Sequence, residues 1–542
     1  MAYSGNPFHS LMALQKKEHL YEFVLAYGLG NVPLSLCLSE LKMLESVMSC
    51  LDVSSCLIGL FILLLAMFFR SRKPKNLPPT PGTALPFVGH LYMLEKNPRQ
   101  QFKQWAEQFG SMFTLKMGPN TAVFINTLDT LKEAFIKQGD YFSDRPNNLF
   151  AVKFSQNFDK GLVLSSGSYW KSQRTTSLAI LRNFGMGKNI LAEKIIEEIS
   201  FFTKELARKN GQPSDIRNLT NMSISNIICS IIFGKRFEFG DEKFTELVQM
   251  FNEAVKANSA DLILNFVPIL YYLPFDFFKG KRLLEIIGQL RQFDFEKIRE
   301  IKKSYDPDNL DNYIVAYIDE MRKEASLDQK SYLDEICLAR NIDNLFIAGT
   351  ETTSTTIMWC LLYMLHYPEV QQRIYKEIVE QIGTERPPNI TDKSNLKYLT
   401  AVIMEVQRKA SIVPLGLPHL CNKDTTLAGY NIPKGTIVMP NLDAIHASKE
   451  IWGDPETFRP ERFLDDKGNV MTREELMPFS IGRRKCLGES LAKMELFLFL
   501  SSLFQQFEFL PASPDKVPPL TKTWGGVAAS EPFEIRCVER NK

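Results

Sequence analysis

The apolar positions of this chain fall into several patterns, each predicting a different element. From Cys56 to Phe69 the sequence Cys-Leu-Ile-Gly-Leu-Phe-Ile-Leu-Leu-Leu-Ala-Met-Phe-Phe carries no charge. Extended back through Val47 it reaches the ~20 residues a spanning helix needs, with Asp52 near one end. A buried core helix is the alternative. Arg70, Arg72, Lys73 and Lys75 follow without an acidic residue, so the positive-inside bias places everything downstream in the cytosol. The run begins far from the N-terminus and no small-residue cleavage site comes after it, which predicts an uncleaved anchor over 47–69 rather than a secretory signal. Residues 1–46 carry mixed charge and weak periodicity and are assigned no role.

Two long helical patterns lie further on. Between Asn341 and Tyr367 the chain lacks an internal proline and stops at Pro368. From Leu487 to Phe507 there is no proline and no glycine after Gly488, and Leu491, Met494, Leu498 and Leu503 recur at roughly helical spacing. A third apolar stretch, Leu264 to Phe278, is interrupted by Pro268 and Pro274 and is too broken to span a membrane. Trailed by Lys279, Lys281 and Arg282, it serves either an interfacial contact or core packing. Between anchor and body, Pro78-Pro79-Thr80-Pro81-Gly82 and Pro86 predict a stiff, extended, basic and proline-rich hinge over 70–89. No Gly/Ser-rich linker divides the chain beyond this hinge, so 90–542 is expected to be one large domain.

Composition narrows the function. With 45% hydrophobic and 11% aromatic residues there is material for a large core that encloses an apolar cofactor, and the net charge of +2 argues against nucleic-acid binding. The nine cysteines form no C-x-x-C pair, zinc spacing or disulfide framework, and only six histidines occur. Neither an iron–sulfur cluster nor a covalently attached haem fits that pattern, so a haem here would be held by one thiolate and by non-covalent contacts.

Cys486 is that candidate. It lies in Phe479-Ser480-Ile481-Gly482-Arg483-Arg484-Lys485-Cys486-Leu487-Gly488, a glycine-flanked loop before an apolar helix, where the helix N-terminus favours the thiolate. Gly482 permits a bend, Gly488 lets backbone approach a flat ligand, and the amides after the cysteine reach its sulfur. In the other long helix, Ala348-Gly349-Thr350-Glu351-Thr352-Thr353 puts a glycine mid-helix, where it costs about 1 kcal/mol relative to alanine, with threonines close behind. Small side chains at Ala348 and Gly349 leave room for a ligand, Thr352 can donate a hydrogen bond, and Glu351 can relay protons. An ordinary buried helix, with Thr352 bonded back to a carbonyl, is the competing reading.

The cysteine loop resembles the haem-binding signature F-x-x-G-x-R-x-C-x-G of the cytochrome P-450 monooxygenases, with Phe479, Gly482, Arg484, Cys486 and Gly488 in its fixed positions. The helix motif resembles the same family's oxygen-activation motif [AG]-G-x-[DE]-T-[TS]. Phrases such as Phe142-Ser143-Asp144-Arg145-Pro146 and Leu491-Ala492-Lys493-Met494-Glu495-Leu496 look like its microsomal family two, nearest subfamily U. The resemblance implies a mainly α fold with a small β-rich lobe (α+β), the cytochrome P-450 fold with an N-terminal transmembrane helix. It also implies haem b with Cys486 as axial iron ligand, Glu351 and Thr352 as catalytic residues, and Ala348 and Gly349 against the haem face. Trp170, Arg174, Arg484 and His419 would hold the haem propionates. Glu405 and Arg408, on one helical face at i and i+3, would join Arg462 of Pro460-Glu461-Arg462-Phe463 in a folding triad. Phe346, Val413, Leu415, Gly416 and Val527 would face substrate.

No dinucleotide fingerprint or flavin domain is evident, so electrons must come from another protein. The resemblance implies NADPH–cytochrome P-450 reductase, with cytochrome b5 as a second donor, and Lys171, Arg483 and Lys485 offer a basic face to steer it. The expected activity is insertion of one oxygen atom from O2 into a C–H bond of a lipophilic substrate, a long-chain fatty acid before a steroid or xenobiotic, at the endoplasmic reticulum membrane. Rival readings are a reductase-independent hydroperoxide isomerase and a catalytically silent haem or ligand-binding membrane protein.

Overall fold

Alternation along two strands builds the β-rich lobe. β1 (Met112–Met117) and β2 (Asn120–Ile125) pair antiparallel with Phe113 opposite Phe124, and these two rings stack with centroids 4.8 Å apart. Period-two geometry sends Phe113, Leu115, Ala122 and Phe124 to one face, against Phe102 and Trp105 of α1 (Arg99–Phe109). Met112, Val123 and Ile125 go to the other, against Phe135, Phe142 and Leu442. The sheet is completed by β3 (His419–Leu420) and β4 (Ile437–Pro440) in the order β1-β2-β4-β3, with β4 parallel to β2 and antiparallel to β3. Two further two-stranded sheets pair Thr425–Leu427 with Tyr430–Ile432 and Phe507–Pro511 with Ile535–Glu539.

The larger part is helical. The computed structural model describes residues 76–540 except 186–188 and 327–330, with the side chains of 189 and 256–262 also excepted, and in addition residues 55, 58, 59, 61 and 62. Its functional parts rest on α2 (Gly167–Asn183), α3 (Arg217–Ile232), α4 (Glu335–His366), α5 (Lys397–Ala410) and α6 (Glu489–Gln506). The mainly α architecture with a small β-rich lobe matches the expectation. The N-terminal segment and the anchor over 47–69 lie outside the described residues apart from five isolated positions, and among the described residues no helix is long and apolar enough to cross a membrane.

Both long helices appear, with shifted ends. α4 starts at Glu335 rather than near Asn341, because the Asp334 carboxylate caps it by accepting the Cys337 N–H at 2.7 Å. It then runs for 32 residues through the core and ends before Pro368. α6 starts at Glu489 with Gly488 as its N-cap, two residues later than Leu487, and Cys486 lies in the loop just before it.

The described part of the proline-rich segment is not a free hinge. The Pro79 carbonyl accepts the Thr114 N–H of β1 at 2.7 Å, and the Asn76 carbonyl accepts the Asn431 N–H at 2.8 Å. Proline cannot donate, but its carbonyl still extends a sheet edge, and this segment does so.

The interrupted stretch 264–278 divides its side chains. Leu264 is buried and Phe266, Leu270, Tyr271 and Phe278 pack inward, whereas Ile269, Tyr272, Leu273, Phe275 and Phe277 are exposed.

Candidate active site around Cys486

The cysteine loop is shaped by its glycine. Gly482 has φ +78°, and a Cβ there would lie 2.2 Å from the Phe135 carbonyl oxygen, so no other residue fits without moving that backbone. Two backbone bonds close the loop, from Lys485 N–H to the Gly482 carbonyl at 3.1 Å and from Cys486 N–H to the Phe479 carbonyl at 3.0 Å. Arg174, one turn after Trp170 on α2, donates to the Lys485 carbonyl at 2.7 Å.

Cys486 is accessible although it lies deep among protein atoms. Burial pushes its thiol up from the ordinary cysteine range; the Gly488 N–H bonded to the sulfur, Arg174 and Lys485 pull it back. Desolvation thus outweighs the pull expected from the helix terminus. A Cβ on Gly488 would meet nothing within 4 Å, so open space lies on that side of the sulfur's amide donor.

The rim is cationic and under-compensated. Arg484 stacks over the Trp170 ring at 3.8 Å and donates through Nε to the Ser143 carbonyl at 2.7 Å and through Nη2 to the Ser165 carbonyl at 2.5 Å. Its Nη1 is buried without a hydrogen-bond partner. Burial, and then the neighbouring Arg145, push the guanidinium down to about 8, far below an ordinary arginine. An anionic group such as a haem propionate would satisfy this orphaned N–H and balance the buried charge.

His419 sits beside this group on β3 but is bonded otherwise than expected. Its ring stacks on Phe135 at 4.1 Å and its Nδ1 bonds the Phe142 carbonyl at 2.6 Å. Burial and the positive charges of Arg145 and Arg484 drive its pKa well down. Its Nδ1–H is committed to the Phe142 carbonyl, so any contact with an anionic group would fall to Nε2. Arg145 is the donor that sequence reasoning missed: buried, it bonds the Val163, Leu417 and Pro418 carbonyls. In the sequence, Phe142-Ser143-Asp144-Arg145-Pro146 signals only a resemblance and no such contact.

On the opposite helix, α4 is mostly buried, yet Ala348 is exposed and Asn344, Glu351 and Thr352 are half-buried. Spacings of three and four put these residues on one stripe, so a core helix opens one face onto space. The Thr352 hydroxyl donates to the Ala348 carbonyl at 2.7 Å, so the back-bond of an ordinary helix is present and the oxygen lone pairs face outward.

Gly349 is not on that stripe. A Cβ on it would come within 2.5 Å of Ile228 Cδ1, so its smallness lets α3 and α4 approach rather than making room for a ligand. Phe346 is also placed otherwise: 1% exposed and stacked on Phe251 at 4.2 Å, it is packed core and not an open substrate wall. Val413, Leu415 and Val527 are half-buried, and the Gly416 conformation, φ +56° with Pro440 against it, excludes a side chain. The Ala528 N–H donates to the Ile412 carbonyl at 2.7 Å and the Ala528 carbonyl accepts Trp359 Nε1 at 2.9 Å, which brings the 412–416 and 527 segments together beside α4.

Glu405, Arg408 and Arg462 meet in a buried triad. Arg408 holds both Glu405 oxygens at 2.8 Å, and Arg462 Nε reaches Oε1 at 3.1 Å. A relay leads from there to the cysteine loop. Arg408 Nη1 donates to the His446 carbonyl at 2.8 Å, His446 Nε2 accepts the Met477 N–H at 3.1 Å, and Met477 precedes Phe479 by two positions. His446, held neutral by burial with its pKa pushed down to about 3, carries no sequence signal.

The orphaned arginine nitrogen, the accessible sulfur and the opened helix stripe fit a planar, iron-bearing, anionic cofactor. Residues 78–537 match the family model described as Cytochrome P-450. Human cytochrome P-450 2J2 is 40% identical over 460 residues, covering 84% of this chain and 90% of the relative. Human cytochrome P-450 2U1 is 37% identical over 512 residues, covering 89% and 93%, and rat cytochrome P-450 2J3 is 40% identical over 460 residues, covering 84% and 90%. The chain belongs to the cytochrome P-450 family, microsomal family two, and is a haem-thiolate monooxygenase that binds haem b through a cysteine.

Proposed function

We propose that this enzyme inserts one oxygen atom into a C–H bond of a long-chain fatty acid or similarly lipophilic molecule, using electrons from NADPH–cytochrome P-450 reductase, with cytochrome b5 as a second donor. The observation that carries this reading is the stripe of Ala348, Glu351 and Thr352, opened on an otherwise buried helix. Haem held by a thiolate supplies the reductive activation of dioxygen.

Cys486 would hold the haem iron, its donor strength moderated by the Gly488 N–H. Arg484, with Trp170 beneath it and Arg174 beside it, receives propionate charge. Thr352, its own proton on the Ala348 carbonyl, accepts a hydrogen bond from the open face of the helix, and Glu351, the preceding residue, brings protons to it. Val413, Leu415 and Val527 give the substrate an apolar wall, which suits a lipid chain without fixing its head group.

The protein acts at the endoplasmic reticulum membrane with its catalytic domain in the cytosol. Exposed Ile269, Tyr272, Leu273, Phe275 and Phe277, with exposed Lys279, Lys281 and Arg282 next in the chain, support contact with a bilayer interface. Of the basic residues that face the electron donor, Arg483 is paired with Asp140 and Lys485 with Glu489 at 2.6 Å, which weakens the steering field expected from sequence.

Reconstitution with reductase and NADPH against fatty acids, sterols and drugs tests the proposal. Product that requires both reductase and NADPH supports it; product from hydroperoxides without either identifies an isomerase, and a normal carbon-monoxide band with no NADPH oxidation identifies a silent haem protein. Cys486→Ser should abolish that band. Thr352→Ala should keep haem but consume NADPH without matching product.

A further inference from the structure

Behind the substrate-facing segments lies a polar cluster remote in sequence from the site. Arg99, at the start of α1, bonds Asp443 through Nε at 2.7 Å and Nη2 at 2.6 Å, and Nη2 also reaches the Ala410 and Ser411 carbonyls at 2.9 and 3.2 Å. The Lys522 side-chain nitrogen donates to the Lys409 carbonyl. Two side chains from distant parts of the chain therefore cap the C-terminus of α5, where Ser411 turns left-handed at φ +41° and the 412–416 segment begins. Lys522 in turn opens the other segment. Its backbone forms an isolated bridge with Ser530, its carbonyl accepts Asn97 Nδ2 at 3.0 Å, and the Thr523 N–H closes the loop onto the Ala529 carbonyl at 2.8 Å. The Asp443 N–H donates to the Pro414 carbonyl at 3.0 Å, so the same cluster also holds the middle of the first segment.

We infer that Lys522, with Arg99, is a positioning residue that braces the 412–416 and 523–529 segments against each other, and thereby selects which C–H bond of the substrate is presented for oxidation. This rests on the monooxygenase reading above, and on the placement of Val413, Leu415 and Val527 within the two segments. The bond from Ala528 N–H to the Ile412 carbonyl joins the segments directly, and such a bond by itself acts as a pivot. The Lys522 contact at the end of α5 adds a second point, and two points fix an orientation. Burial, and then the charges of Arg99, Lys103 and Lys409, drive the Lys522 amine well below the usual lysine range. Lys522 acts through its bond to the Lys409 carbonyl at the end of a long stem, and methionine copies the stem without the donor.

The test compares the full-length holoenzyme with Lys522→Met, reconstituted with reductase, and uses two readouts. Backbone hydrogen exchange should accelerate by about fivefold in peptides from both 411–416 and 523–529, the effect of losing one buried hydrogen bond that both share. The ratio of regioisomers from a long-chain fatty acid should change by about twofold or more while haem content and the carbon-monoxide band stay at the parent level. Exchange that changes only in 523–529, or an unaltered product ratio, overturns the inference. If Lys522→Met does not fold, Lys522→Gln, whose shorter side chain keeps a polar group in the cluster but falls short of the Lys409 carbonyl, is read in the same way. Absence of product from the parent enzyme would count against the proposed function, and the exchange result would still decide whether the brace exists.

Discussion

Glu495 is a carboxyl group in the wrong surroundings. It lies on α6, 1% exposed among Leu496, Phe497 and Leu498, where Thr353 of α4 donates to Oε2 at 2.9 Å and Oε1 has no partner. Burial raises its pKa to about 8, with the Thr353 hydrogen bond opposing. The folded group holds its proton at pH 7 while the unfolded group, near 4.5, has lost it. The folded state therefore binds more protons between these values, and stability falls as pH rises through that window. Each unit of pH well inside the window costs about 1.4 kcal/mol, so the penalty at neutral pH is about 3 kcal/mol, an upper-end figure because buried groups relax. Glu495→Gln removes the titration and keeps an oxygen for Thr353. The variant should gain on the parent by about 2 kcal/mol between pH 6 and pH 8, read as a widening gap in urea midpoint by tryptophan fluorescence. A gap independent of pH, or one that narrows as pH rises, would refute a neutral Glu495.

Other substitutions probe the loop, the triad and the rim. Gly482→Ala imposes a side chain at φ +78° against the Phe135 carbonyl and should cost about 3 kcal/mol or more, seen as apoprotein in the haem-to-protein absorbance ratio. Glu405→Gln leaves Arg408 and Arg462 buried without their carboxylate and should destabilise by about 3–5 kcal/mol in the same denaturation assay. Arg484→Leu should weaken haem retention, measured as the rate of transfer to apomyoglobin, whereas Arg483→Leu, whose parent side chain is exposed and paired with Asp140, should not.

How much of this is legible in the sequence depends on whether a residue acts locally. The two long helices, the glycine bend at 482 and the Glu405–Arg408 spacing are properties of a few consecutive positions, and composition plus periodicity reveals them. Their ends are less legible, because the Asp334 cap and the Gly488 cap each depend on one side-chain or backbone contact. Gly349 misleads for a related reason. A mid-helix glycine announces a close approach but not by what, and here the partner is Ile228, more than a hundred positions away. Phe346 shows the same ambiguity, since an apolar residue beside a functional motif has one sequence signature whether it faces ligand or core. Arg145, His446 and Lys522 show none of these contacts in the sequence, because what defines each is a backbone group from a distant part of the chain: three carbonyls for Arg145, the Met477 N–H for His446 and the Lys409 carbonyl for Lys522.

Those illegible residues share a physical task. A cysteine loop and two substrate-facing turns are irregular backbone, and irregular backbone placed inward must find partners for its carbonyls and amides. Arg408 reaches the His446 carbonyl, His446 takes the Met477 N–H, Arg145 takes three loop carbonyls, and Arg99 with Lys522 takes the last carbonyls of α5. Each is a buried donor or acceptor that converts a flexible connection into a fixed wall. Cations suit this task because one guanidinium satisfies several carbonyls at once, but concentrating them leaves positive charge uncompensated. At Arg99 the excess is met by the Asp443 carboxylate, although one Arg99 N–H stays unpaired as well, whereas Arg484 bonds carbonyls and a ring face and has an unpaired N–H. The same construction yields a support balanced by a carboxylate in one place and, at Arg484, a cationic rim that an anionic group would complete.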